Sequence, residues 1–78
     1  HKIDKIQKIL NAYQGVPFVL VGDSGQKDPE IYQKIVAENP GRISQVYIRD
    51  VKRSKKRKLK QFADTIEQYG VRFQILNR

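Results

Sequence analysis

VPFVLVGDSGQKD, residues 16–28, decides how this chain folds. Val16 to Val21 is an apolar run too short for a helix and bounded by Gly15 and Gly22, so it reads as a strand. Apolar residues on both of its faces predict burial on both, in the middle of a sheet covered by helices. Pro17 lacks a ladder donor and is tolerable because it stands near the strand's start. Gly22 to Asp28 is then a loop at that strand's carboxyl end, and Asp28-Pro29 reads as an N-cap with a proline at the first helical position.

Outward from this stretch the pattern alternates. Before it, Ile3, Ile6, Ile9, Leu10 and Tyr13 stand at helical spacing over Lys2 to Tyr13, with Lys5, Gln7, Lys8 and Asn11 on the other side. After it, Ile31, Tyr32, Ile35 and Val36 form the inner stripe of a helix that Asn39, Pro40 and Gly41 stop. Ile43 to Val51 is rich in β-branched and aromatic residues and predicts a second strand. A third helix runs from after Ser54 to about Tyr69, ahead of Gly70, and Val71 to Leu76 alternates like a strand with one wetter face at the sheet margin. The order αβαβαβ requires parallel strands with right-handed crossovers. The expected fold class is therefore α/β, a three-layer αβα arrangement forming half of a doubly wound parallel sheet. Its chemistry is expected beyond the carboxyl ends of the strands, after Val21 and after Val51.

Composition narrows the chemistry. A chain of 78 residues holds one domain at most, and a core of that size supplies roughly 3 to 5 kcal/mol. Without cysteine there is no disulfide frame and no thiol nucleophile, which points to a cytoplasmic setting. His1 is the single histidine, so nitrogen and sulfur ligands are too scarce for structural zinc and the plausible metals are hard, oxygen-seeking cations. The longest apolar run is far short of the roughly 20 residues that span a bilayer. Seven of the sixteen basic residues fall between Lys52 and Lys60, leaving nine elsewhere against eight acidic ones. The net charge of +8 is thus concentrated in one window and argues for an anionic partner at one place.

Two features stand where a parallel sheet puts its chemistry. In the loop GDSGQKD, Asp23 and Asp28 present carboxylates five positions apart, a pair able to hold Mg²⁺. By composition alone, a turn former at Asp23 and a helix cap at Asp28 explain them equally well. Lys2, at the start of a helix, carries a cation where the helix dipole disfavours one unless an anion sits in front of it.

The spacing GD, four residues, then D, over Gly22 to Asp28 after a buried strand, resembles the fourth motif of haloacid-dehalogenase-type (HAD-like) hydrolases. The wider string, with His1-Lys2, PFVLVGDSGQKDPEIY (Pro17 to Tyr32), NPGR (Asn39 to Arg42) and YIRDV (Tyr47 to Val51), is similar to the catalytic domain of phosphatidate phosphatases of the actin-patch-protein type. The resemblance covers residues 1 to about 51; the remainder matches only in its αβ pattern. It implies a Mg²⁺-dependent phosphatase, with Asp23 as a metal ligand, Asp28 as its partner from behind the ligand or through a water, and Lys2 as the third-motif lysine beside an aspartyl-phosphate. Such chemistry needs a nucleophilic aspartate and a second aspartate two residues later, and this chain has no such pair. Residues 1–78 are thus expected to be a single partial domain, the carboxyl-terminal part of a phosphatase domain, inactive alone.

Ser24 in the acidic loop, with Lys52, Arg53, Lys55, Lys56 and Arg57, forms the expected substrate- or anion-binding set. Cations crowded at the amino-terminal turn of the third helix are relieved by an anionic surface, and each contributes about 1 kcal/mol near an acidic membrane. The expected partners are a phosphorylated lipid substrate and an acidic membrane surface at the edge of the cytoplasm. Nucleic acid is the lesser expectation, because the run lacks interleaved aromatics. The alternative function is a basic α/β module that binds acidic lipid or nucleic acid without reaction. Losing the neighbour that covers one edge of the Val16 to Val21 strand predicts dimerisation or swapping there.

Overall fold

The structure is a computed structural model that describes residues 2–25, 27–50 and 56–76. Its elements are α1 (Lys2–Ala12), β1 (Phe18–Asp23), α2 (Asp28–Glu38), β2 (Ile43–Arg49), α3 (Lys56–Glu67) and β3 (Arg72–Leu76). The three strands form one sheet in the order β1-β2-β3, and both pairings are parallel. The parallel α/β architecture read from the sequence is therefore the one observed.

Boundaries moved for local reasons. Pro17 has no N–H to give, so pairing begins at Phe18, whose N–H donates to the Arg42 carbonyl at 2.8 Å. At the other end β1 runs on through Gly22 and Asp23, which pair with Ile48 and Arg49, so the first acid of the motif stands on the sheet and not in a free loop. Asp28 is not the N-cap of α2. Lys27 takes that position without a side-chain cap bond, and Asp28 is already helical, followed by Pro29. Its carboxylate is engaged elsewhere, which is why it does not cap.

One helical layer covers the sheet. Leu10 of α1, Ile35 and Val36 of α2, and Leu59 and Ile66 of α3 join Leu20, Val46 and Ile48 of the strands in a single buried cluster, and α2 packs between α1 and α3. The alternate residues of β1, Val19 and Val21, are 52% and 64% exposed. β1 is therefore an edge strand with one bare face, not the doubly covered central strand that its composition predicts. The run VPFVLV records the demand for two-sided burial, and the described residues supply one of the two helical layers. Val46 and Ile48, fully buried on the middle strand, anchor the core; truncating either to alanine costs about 2–4 kcal/mol.

Candidate metal and phosphate site

The parallel sheet brings the carboxyl ends of its strands to one rim, where four segments meet. From the sheet come Asp23 at the end of β1 and Asp50 just after β2. From the helices come Asp28 and Tyr32 in the first turns of α2 and Lys2 at the start of α1.

Asp28 is the hub. Its carboxylate, 3% exposed, accepts a hydrogen bond from Lys2 Nζ on one oxygen, and from the Asp23 backbone N–H at 2.9 Å on the other. Gly22 makes this approach possible, because a Cβ there would meet the Cβ and Cγ of Asp28 at 2.8 Å, closer than real carbon atoms come. Tyr32, one turn further along α2, donates its hydroxyl to the Val21 carbonyl at 2.7 Å, and the Lys2 ammonium stands 5.8 Å from its ring centroid. The aromatic face and the carboxylate together hold the cation. The anion that the dipole argument demands in front of Lys2 is, in this structure, Asp28.

The electrostatics follow the contacts. Lys2 is held above the usual lysine range chiefly by its hydrogen bond to Asp28, with partial burial pulling the other way. Burial pushes the Tyr32 hydroxyl up, and the neighbouring Lys2 offsets part of that rise.

Asp23 is half-buried, and its Oδ1 accepts from the Gly25 N–H at 2.9 Å in a tight turn. That turn keeps the side chain at the sheet rim beside Asp28. The donor set consists of carboxylate oxygens with no soft ligand, which suits Mg²⁺, a cation commonly held by one or two carboxylates with waters and substrate phosphate completing its octahedron. Among the described residues no group of three or more metal-ligating side chains assembles.

Ser24, expected on an anion, is 1% exposed, and its hydroxyl donates to Asp50 Oδ1 at 3.4 Å while its N–H donates to the Arg49 carbonyl at 2.9 Å. It stitches β1 to β2 from inside. Asp50, 6% exposed, extends the stitching, since its N–H donates to the Leu76 carbonyl at 2.9 Å. Lys52, Arg53 and Lys55 lie outside the described residues, whereas Lys56 and Arg57 open α3.

Sequence reasoning missed two members of the rim. Tyr32 was legible as the residue four positions after Asp28 on one helix face, but its apolar bulk assigned it to the core stripe. Asp50 belongs to no phosphate-binding motif, and the signal that finds it is its position immediately after a parallel strand.

The family model of the phosphatidate phosphatase APP1 catalytic domain matches residues 1–50. Phosphatidate phosphatase APP1 of Saccharomyces cerevisiae is 42% identical over 48 residues, which is 62% of this chain and 8% of that protein. No solved structure matches the chain.

Proposed function

The chain belongs to the family of the phosphatidate phosphatase APP1 catalytic domain, and from that premise we propose that it forms the metal- and phosphate-holding rim of a Mg²⁺-dependent phosphomonoester hydrolase. The observation that carries the reading is the convergence of Lys2 and the Asp23 backbone on the Asp28 carboxylate at the carboxyl end of a parallel strand. The substrate class is a phosphate monoester. Phosphatidate, converted to diacylglycerol, is the member that the family suggests.

In this reading Asp23 holds the Mg²⁺, with Asp28 supporting it from behind or through a water, and Lys2 spans the gap between α1 and the acids so that its ammonium faces the phosphate oxygens. Mg²⁺, when bound, supplies positive charge that offsets the charge of the phosphoryl group. A cation already fixed at the rim needs little rearrangement as charge builds on the phosphate. The nucleophilic aspartate that accepts the phosphoryl group as an aspartyl-phosphate lies outside these 78 residues. The basic run from Lys52 to Lys60 serves the anionic surface that bears the lipid.

Titrating ¹⁵N-labelled protein with Mg²⁺, then with Mg²⁺ and inorganic phosphate, tests this directly. The amides of Asp23, Gly25 and Asp28 should shift saturably with Mg²⁺, and Lys2 should shift further when phosphate follows. Asp23→Ala should abolish both responses. Equal responses in wild type and Asp23→Ala would sink the assignment.

A further inference from the structure

Among the described residues, three sets of polar contacts join α1 to the rest of the molecule. At its start Lys2 reaches Asp28. At mid-length Gln7 and Asn39 form a reciprocal amide pair: Gln7 Nε2 donates to Asn39 Oδ1 and Asn39 Nδ2 donates to Gln7 Oε1, each at 3.0 Å. At the helix end Arg42 Nη2 donates to the carbonyls of Leu10 at 2.9 Å and Tyr13 at 2.7 Å. The second and third sets come from one turn, residues 39–42, between α2 and β2.

That turn is itself fixed to the elements that carry the acids. Asn39 Nδ2 also donates to the Ile35 carbonyl of α2 at 2.9 Å. The Arg42 carbonyl accepts the Phe18 N–H of β1, and the Arg42 guanidinium lies 5.9 Å from the Phe18 ring centroid. One seat therefore serves β1, which ends in Asp23, α2, which begins with Asp28, and α1, which begins with Lys2.

The apolar stripe of α1 cannot set the position of Lys2 alone. A helix advances about 1.5 Å and turns about 100° per residue, so Lys2 sits about 12 Å up the helix from Leu10, and a tilt of about 10° there displaces it by about 2 Å. Ile3, Ile6 and Leu10 pack against the core without direction, whereas an amide pair and a guanidinium nitrogen shared by two carbonyls are directional. Displacements of about 1 Å are costly in a charged site.

We propose that Arg42 and Asn39 are positioning residues for the phosphate site: the 39–42 turn fixes the register and tilt of α1, and through them places the Lys2 ammonium on Asp28. The functional consequence rests on the phosphatase reading; the geometric one does not. Arg42 also places a cation against the carbonyl end of α1, where the helix dipole favours one.

The side-chain ammonium resonance of Lys2, assigned by its loss in Lys2→Arg, reports the contact without any ligand present. It should differ between wild type and Asp28→Asn. In Arg42→Lys, which keeps the charge but is one atom shorter and lacks the planar group that carries Nη2 to both carbonyls, it should move at least halfway to the Asp28→Asn position while the backbone resonances of β2 stay in place. Asn39→Ala should do the same without touching Arg42. A movement in one variant alone upholds the role for that residue and removes it for the other. The proposal is overturned if Lys2 stays at its wild-type position in both variants, if wild type and Asp28→Asn coincide, or if both variants lose the β2 resonances, since the turn would then hold the whole fold and not the register of α1. Failure of the phosphatase reading shows elsewhere, as an absent response to Mg²⁺ and phosphate.

Discussion

Lys2 and Asp28 share an ion pair with unequal partners, one side chain 42% exposed and the other 3%. Removing the cation leaves a buried carboxylate with the Asp23 N–H as its remaining partner named above. A fully buried pair broken this way costs about 3–5 kcal/mol, and the exposure of Lys2 reduces that to about 1–2 kcal/mol for Lys2→Met at neutral pH. The pH dependence has a definite sign. Lys2 is raised in the folded state, so its contribution is complete below the unfolded lysine range and disappears as pH rises through the raised value. Urea melts at pH 7 and above pH ~11 should show wild type and Lys2→Met converging at the alkaline end; a constant gap would separate Lys2 from the pair. Gly22→Ala acts on the same carboxylate by sterics. Its methyl group would press on Asp28, whose position in the first turn of α2 leaves it little room, and should lower stability by about 1–3 kcal/mol in thermal melts. At this scale the spacing of Asp23 and Asp28 was legible because a motif fixes it. The inward turn of Ser24 was not, because nothing in a loop serine's neighbours says that the next strand's end will close over it.

At the scale of elements, β1 carries the largest difference between what the sequence suggests and what surrounds it. All three helices and all three strands were legible from period and punctuation, and their ends shifted by only a few residues. The surroundings of β1 were not legible, because an apolar run states what burial a strand needs and not which residues provide it. Its free edge and the exposed Val19 and Val21 make it the place where a second strand would add. We expect concentration-dependent self-association in sedimentation equilibrium, weakened in Val21→Lys. Because Val21 is 64% exposed, that substitution should change the stability of the monomer by no more than about 0.5 kcal/mol. Unchanged association in Val21→Lys would place the contact on another surface.

Over the whole molecule, chain order and spatial order coincide: β1, β2 and β3 lie side by side in the sequence in which they occur. Among the described strands only β2 has a neighbour on each side, and its Val46 and Ile48 are fully buried. Opening either outer strand frees one ladder, but exposing the amides of β2 means dismantling both. Deuterium uptake should therefore proceed from the outside inward. Val46 and Ile48 should keep their protons longest, at the rate of global unfolding, while β1 and β3 exchange through smaller openings on either side. The middle strand thus sets the lifetime of the molecule, and the acids at the rim persist only as long as it does.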